Sequence, residues 1–164
     1  VNGDESYKDG IHAEELIKIG KLLERYGVAA IEVSCGIDWK EMGPAKGKVP
    51  VDMILNQYPG IKELPSPVKR IARPFVLKMM KDTETGQKNN VPAARKLKEN
   101  VQIPIIAVGG IRDLADVEST IQEDGIDFVS MSRALILEPG LVNKFKDGKS
   151  ISAKCLSCND CLIG

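Results

Sequence analysis

The sequence lacks the features that mark a nucleic-acid-binding or membrane protein. Lysine plus arginine and aspartate plus glutamate both total 23, so the formal net charge at pH 7 is zero. A neutral chain with three Phe, three Tyr and one Trp shows no electrostatic footprint for nucleic acid. The longest uncharged apolar stretch, around residues 103–111, is about ten residues long, half of a membrane span. We therefore expect no nucleic-acid partner and no membrane partner.

The chain also lacks an initial methionine and a visible signal peptide. Because it begins at Val1, we interpret it as a processed or truncated product. Its four cysteines are Cys35, Cys155, Cys158 and Cys161, and the last three crowd into the final ten residues. Since this is not the spread pattern of a disulfide framework, the sequence predicts a reducing, cytoplasmic location.

Helical and apolar strand patterns alternate along most of the chain. Helices are predicted at 13–26, 92–98 (N-cap Asn90), 114–122 (N-cap Asp113) and 139–145, and strands at 28–34, 105–108 and 128–131. Between residues 37 and 88 six prolines interrupt the pattern, with helical turns predicted at 51–57 and a helix at 66–80 bent near Pro74. Such a long connection is either a functional excursion or a separately packed subdomain. The alternation predicts a parallel α/β sheet.

Two parallel α/β architectures compete for this pattern. A doubly wound dinucleotide-binding sheet needs a G-x-G-x-x-G turn, and Val108-Gly109-Gly110-Ile111 lacks that spacing. In a (β/α)8 TIM barrel, phosphate groups bind at the loops after the last two strands. A whole barrel takes roughly 250 residues, more than this chain has. We therefore predict the C-terminal half of a TIM barrel, with a long irregular excursion after the first strong strand.

The candidate site lies at the ends of the last two strands. The first segment, IPIIAVGGIR, ends at Arg112, and the second, IDFVSMSR, ends at Arg133. Glycines allow the backbone to approach a phosphate, and an arginine supplies a fixed charge in a forked geometry. Taken singly, the glycine pair is equally well a strand-ending turn, and Arg133 is more often part of a surface ion pair. Together, at successive strand ends, they favour a phosphate site.

Five stretches, in this order, resemble the C-terminal half of the NADH:flavin oxidoreductase/Old Yellow Enzyme family of FMN-binding barrels. They are Asn2-Gly3-Asp4, GVAAIEVSCG, NNVPAARKLKENVQIPIIAVGGIR, GIDFVSMSRALILEPGLVNKFKDG and CLSCNDC. The resemblance implies that the backbone amides of Gly109 and Gly110 approach the FMN phosphate and that the Arg133 side chain binds it. Ser132 stands where the family usually has glycine, and on this resemblance it is expected near the cofactor, where its hydroxyl adds a further hydrogen-bonding group. Val108 and Met131 are expected beside the ribityl chain or ring edge of the flavin.

The resemblance also implies a reaction, in which a hydride passes from NADH or NADPH to FMN and then to an activated alkene or other acceptor. In the family, the basic residue beside the flavin precedes the position of Val1. The residues that hold a small-molecule substrate and donate a proton belong to the other half. We therefore assign no catalytic residue here and expect the isolated chain to be inactive. Residues 1–150 are predicted to form the partial barrel and residues 151–164 a cysteine-containing tail.

Two other hypotheses stay open. An isolated half barrel exposes sheet edges and an apolar face, so the chain is alternatively an inert module that self-associates or pairs with the missing half. The tail spacing C-x2-C-x2-C is alternatively a metal site, although four ligands are the norm and a metal-free tail is preferred. His12, the only histidine, and the basic run Lys69, Arg70 and Arg73 are interpreted as helix-surface residues.

Overall fold

The computed structural model describes residues 1–5, 10–34, 47–79 and 86–162. In these ranges the elements follow one another as α1 Ala13–Arg25, β1 Ile31–Val33, α2 Val51–Gln57, α3 Ser66–Met79, α4 Val91–Lys98, β2 Ile105–Val108, α5 Leu114–Gln122, β3 Phe128–Ser130, α6 Arg133–Leu137, α7 Leu141–Lys146 and a 3₁₀ helix at Asp160–Leu162. Cys35 and the predicted end of the 66–80 helix lie outside the described residues.

Most predicted elements are confirmed, with small shifts at their ends. No element was assigned to residues 132–138, where the structure has α6, which begins at Arg133 shortly after β3. Its sequence, Arg-Ala-Leu-Ile-Leu, consists largely of good helix formers. The helix predicted to start at Pro139 begins two residues later, because Gly140 occupies its N-cap position.

The three strands form one parallel sheet in the order β1-β2-β3. Ile31 lies beside Ile105, and Val108 lies beside Ser130. The start of the chain extends the sheet beyond β1, because Asn2 and Ser34 form a parallel bridge. In that bridge the Gly3 N–H donates to the Ser34 carbonyl at 2.7 Å, and the Ser34 N–H donates to the Val1 carbonyl at 2.9 Å.

Strand alternation separates a buried face of the sheet from a more exposed one. The buried face packs with side chains of α1, α4 and α5 in a single apolar cluster whose sheet members are Ile31, Val33, Ile105 and Ala107. On the other face Ile106 and Val108 are half-buried and Glu32 is exposed. Since the three helices contribute to one cluster, they share one face of the sheet.

Sequential strand order and helices on a common face are the arrangement found around a (β/α)8 barrel, whereas a doubly wound sheet carries helices on both faces. The structure confirms the predicted parallel α/β sheet and is consistent with part of a TIM barrel. The helices of the described ranges are too short or too polar to cross a bilayer.

The chain divides into two compact units. The first comprises Val1–Gly36 and Gly86–Lys154 and holds the sheet, and the second comprises Ile37–Thr85 and Cys155–Gly164. In the second unit α2 and α3 pack around a small apolar cluster, and Nε of Arg73 in α3 lies 3.2 Å from the Asp52 carboxylate in α2. The excursion thus packs as a unit of its own. The domain boundary predicted after residue 150 stays a prediction.

Candidate functional site

The register of β2 and β3 brings two distant segments of sequence to one edge of the sheet. Because Val108 lies beside Ser130, the two strands end level with each other. Gly109 follows β2 directly, and Met131 follows β3 directly. The glycine turn and the segment leading to Arg133 therefore leave the sheet side by side, at the edge where parallel α/β proteins bind their ligands.

Both glycines of the turn have a backbone that other residues rarely adopt. The φ angle is +127° at Gly109 and +73° at Gly110. A Cβ atom on Gly110 would collide with the Gly86 carbonyl oxygen, and one on Gly109 would lie 2.7 Å from Nδ2 of Asn90. Glycine is therefore required here on two grounds, backbone conformation and space.

Asn90 contributes to this edge in a way that the sequence did not predict. It occupies the N-cap position of α4, as expected. Its side-chain amide, however, is directed to the sheet, where Nδ2 donates to the Val108 carbonyl at 2.5 Å. The Asn89 N–H donates to the Gly109 carbonyl at 3.1 Å. The asparagine predicted as a helix cap is thus also a contact of the glycine turn.

The residues after β3 are placed by the beginning of α6. Ser132 holds the N-cap position, and its carbonyl accepts hydrogen bonds from the N–H groups of Leu135 and Ile136, both at 3.0 Å. Arg133 is the first residue of α6, is half-buried and already has an interaction partner within the protein. Met131 is half-buried and lines a groove beside β3 together with Val129 and Phe145. The flavin contacts expected of these residues stay predictions.

A buried carboxylate directly after α6 hydrogen-bonds to two later parts of the chain. Glu138 is only 8% exposed, and its side chain accepts hydrogen bonds from Nζ of Lys144 and from the Lys154 N–H, both at 2.7 Å. These bonds hold the pKa of Glu138 below its ordinary value. Residues 151–154 then pair with residues 112–114, since the Leu114 N–H donates to the Ile151 carbonyl and the Ala153 N–H donates to the Arg112 carbonyl. The segment after the glycine turn is thereby hydrogen-bonded to residues 151–153.

A second carboxylate, in α5, has the opposite shift. Burial raises the pKa of Asp116, and the neighbouring Asp113 raises it further, while Lys88 and Arg112 act against this. The Asp113 carboxylate accepts a hydrogen bond from Nε2 of Gln87 at 3.4 Å. The first turn of α5 therefore presents acidic groups towards the segment that precedes α4.

Two of the remaining candidates, His12 and Lys69, have structural partners. Nδ1 of His12 lies 3.0 Å from the Asp4 carboxylate, and both side chains are largely exposed. Nζ of Lys69 donates to the Lys62 carbonyl at 2.7 Å. Cys155, Cys158 and Cys161 carry unbridged thiols. Within the described ranges, which omit Cys35, no three His, Cys, Asp or Glu side chains converge as metal ligands would.

Comparison with known proteins gives the site a family context. The family model described as the NADH:flavin oxidoreductase / NADH oxidase family matches residues 61–151, a range that contains the glycine turn and Arg133. An NADH oxidase of Thermoanaerobacter brockii is 31% identical over 164 residues, which cover 99% of this chain and 20% of that protein.

Two further relatives match shorter ranges of the chain. A 4,4'-dithiodibutanoate disulfide reductase of Rhodococcus erythropolis is 38% identical over 72 residues, 44% of this chain and 18% of the relative. A multifunctional alkene reductase/demethylase OYE of Caballeronia cordobensis is 36% identical over 72 residues, 43% of this chain and 11% of the relative. The chain spans about a fifth or less of the length of these curated relatives.

The family model covers more than half of the chain, and the resemblance stated from the sequence is confirmed. The predicted cofactors, FMN and NAD(P)H, agree with the flavin and NADH for which the family is described. The glycine turn, the neighbouring end of β3 and the parallel sheet that joins them are thus parts of a member of the NADH:flavin oxidoreductase / NADH oxidase family.

Proposed function

We propose that this chain is the C-terminal half of a (β/α)8 barrel and binds the phosphate end of FMN. The enzyme that it belongs to transfers a hydride from NADH or NADPH to FMN and on to an activated alkene or another acceptor. The observation that carries the proposal is the pairing of Val108 with Ser130, which brings the Gly109-Gly110 turn and Arg133 to one edge of the sheet.

The open sheet supports the half-barrel part of the proposal. Strands follow one another in sequence order, and the pairing of Asn2 with Ser34 adds a further parallel segment at one edge. At the other edge, beside β3, a groove of about 530 Å³ is lined mainly by apolar side chains of α5, β3 and α7. A closed barrel has no free edge, so the remaining strands and helices of the enzyme fit here.

This chain's own groups would bind the phosphate rather than carry out the redox chemistry. A phosphate dianion is held by backbone N–H donors and by a guanidinium that can form two parallel hydrogen bonds. The turn at Gly110 offers close backbone approach, and Arg133 offers the charge. FMN, when bound, supplies the hydride-accepting ring, and the groups that hold substrate and donate protons belong to the rest of the enzyme.

The proposal is tested on the longer polypeptide that contains these residues. Purified from cells, it should be yellow and should release FMN on denaturation. The isolated chain, mixed with FMN and NADH, should show no acceptor-dependent loss of NADH. A longer polypeptide that is colourless and takes up no added FMN would contradict the proposed function.

A second candidate function follows from the same groove. In the isolated chain Ile121, Phe128 and Val142 are 44%, 56% and 54% exposed along it. An apolar strip beside an open strand edge favours self-association when the remaining half of the barrel is missing. On this hypothesis the isolated chain is a binding module without turnover. The cytoplasmic location stays a prediction from the cysteine pattern.

A further inference from the structure

Residues 86–90, which precede α4, pack directly behind the glycine turn. The Gly86 carbonyl would collide with a Cβ on Gly110, and Nδ2 of Asn90 would be too close to one on Gly109. Asn90 is 6% exposed, so its amide is withdrawn from water and its bond to the Val108 carbonyl is protected. We call residues 86–90 the brace.

The brace fixes the orientation of two successive peptide groups. In a trans peptide the carbonyl and the following N–H point in opposite directions. Because Asn90 holds the Val108 carbonyl, the Gly109 N–H points away from the brace. Because the Asn89 N–H holds the Gly109 carbonyl, the Gly110 N–H also points away from it. The two contacts thus determine where the amides of the turn can find an acceptor.

The brace is itself anchored to α5, the helix that follows the turn. Lys88 has a φ of +54°, a conformation uncommon for a side chain of its size. Its ammonium group donates to the Ser119 hydroxyl in α5 at 3.0 Å, and Nζ lies 2.6 Å from the carboxylate of Asp124, two residues beyond the end of α5. Both partners of the ion pair are at most one-quarter exposed. The ion pair and the hydrogen bond to Ser119 therefore hold the brace, which leads into α4, against the C-terminal end of α5.

We propose that Asn90 and Lys88 are positioning residues for the FMN phosphate. Asn90 sets the peptide planes of the glycine turn, and Lys88 holds the brace in the place from which Asn90 reaches the Val108 carbonyl. The inference rests on the proposed function, because it presumes that the turn binds a phosphate. Neither side chain needs to touch the cofactor.

The test compares two flavins that differ in the phosphate, FMN and riboflavin. Their dissociation constants are measured by flavin fluorescence with the longer polypeptide in its flavin-free form. Asn90→Asp keeps the size of the side chain but replaces the donor with a carboxylate that repels the Val108 carbonyl. Lys88→Met keeps the aliphatic stem and removes the charge. Asn100→Asp is the matched control, since Nδ2 of Asn100 donates to the Lys96 carbonyl at 2.9 Å at the exposed end of α4.

We expect Asn90→Asp to weaken FMN binding about tenfold, the scale of one lost hydrogen bond, and Lys88→Met to weaken it several-fold. Riboflavin affinity should stay within about twofold of the wild type in both, and Asn100→Asp should change neither flavin. A purely structural role would lower both affinities together, and that outcome overturns the inference, as does unchanged FMN binding.

If circular dichroism shows that Asn90→Asp does not fold, Lys88→Met is used as the sole test variant. A wild-type protein that binds both flavins equally would refute the proposed phosphate site, and the inference with it. A wild-type preference for FMN that survives in the brace variants would refute the inference alone.

Discussion

Val108 at the end of β2 lies beside Ser130 at the end of β3. This single register relation makes the strand that leads to the glycine pair end level with the strand that leads to Arg133, more than twenty residues later in the sequence. A shift of the register by one residue would turn the side chains of β3 to the opposite faces of the sheet. The candidate site therefore depends on strand pairing as much as on the residues themselves.

Replacing Arg133 with alanine should weaken FMN binding by the longer polypeptide by about 1.5–3 kcal/mol, the range for a hydrogen bond to a charged group. The reason is the loss of the guanidinium that faces the phosphate in the proposed site. Fluorescence titration with FMN measures the effect, and Arg95→Ala, at an exposed i,i+4 pair with Glu99, serves as the control. An unchanged FMN affinity would remove Arg133 from the site.

Replacing Gly110 with alanine should destabilise the fold more than replacing Gly125. Both glycines have a similar positive φ, +73° and +68°, which costs an alanine about 1–2 kcal/mol. Only Gly110 also faces an obstacle, the Gly86 carbonyl, whereas a Cβ on Gly125 would meet nothing within 4 Å. Urea unfolding of the two variants measures the difference. Equal losses of unfolding free energy in the two variants would show that the brace moves to accommodate the added methyl group.

Stability should depend on the ionisation of Glu138. Two hydrogen bonds lower the pKa of its carboxyl from the ordinary 4.5. The bond from Lys144 contributes most, followed by the bond from the Lys154 N–H. Because the folded pKa is the lower one, the stabilisation is fully present above about 4.5 and is lost as the pH falls through the folded pKa.

Glu138→Gln should therefore lower the urea midpoint at pH 7, and the difference from the wild type should shrink as the pH falls below the unfolded value. Urea titrations over the acid range test this, with Glu99→Gln as an exposed control. A difference that is constant with pH would mean that Glu138 acts through packing alone.

The isolated chain should self-associate through the groove beside β3. Val142→Glu, which places a charge in that groove, should shift the chain towards monomer in light scattering at micromolar concentration. The control Leu22→Glu changes a side chain of α1 that is 47% exposed and lies outside the groove. A wild-type chain that is already monomeric would contradict the prediction, as would equal effects of the two substitutions.

Local sequence patterns predicted most elements because each pattern reflects nearby residues. Helix α2 coincides with the predicted 51–57, β2 with 105–108 and α5 with 114–122. The five-residue helix α6 was missed because one turn and a half gives too short a periodic signal to detect. Asn90 was recognised as a cap position, but its bond to Val108 was not, since eighteen residues separate donor and acceptor.

The sequence by itself determined the parallel α/β class, the family and the residue types of the candidate site. These follow from apolar periodicity, from glycines after a strand and from an arginine after the next strand. Only the tertiary structure decided that the two strand ends lie level, that residues 86–90 pack against the glycine turn and that Lys88 joins them to Ser119 of α5. Such relations depend on register and on long-range packing, which no local pattern encodes.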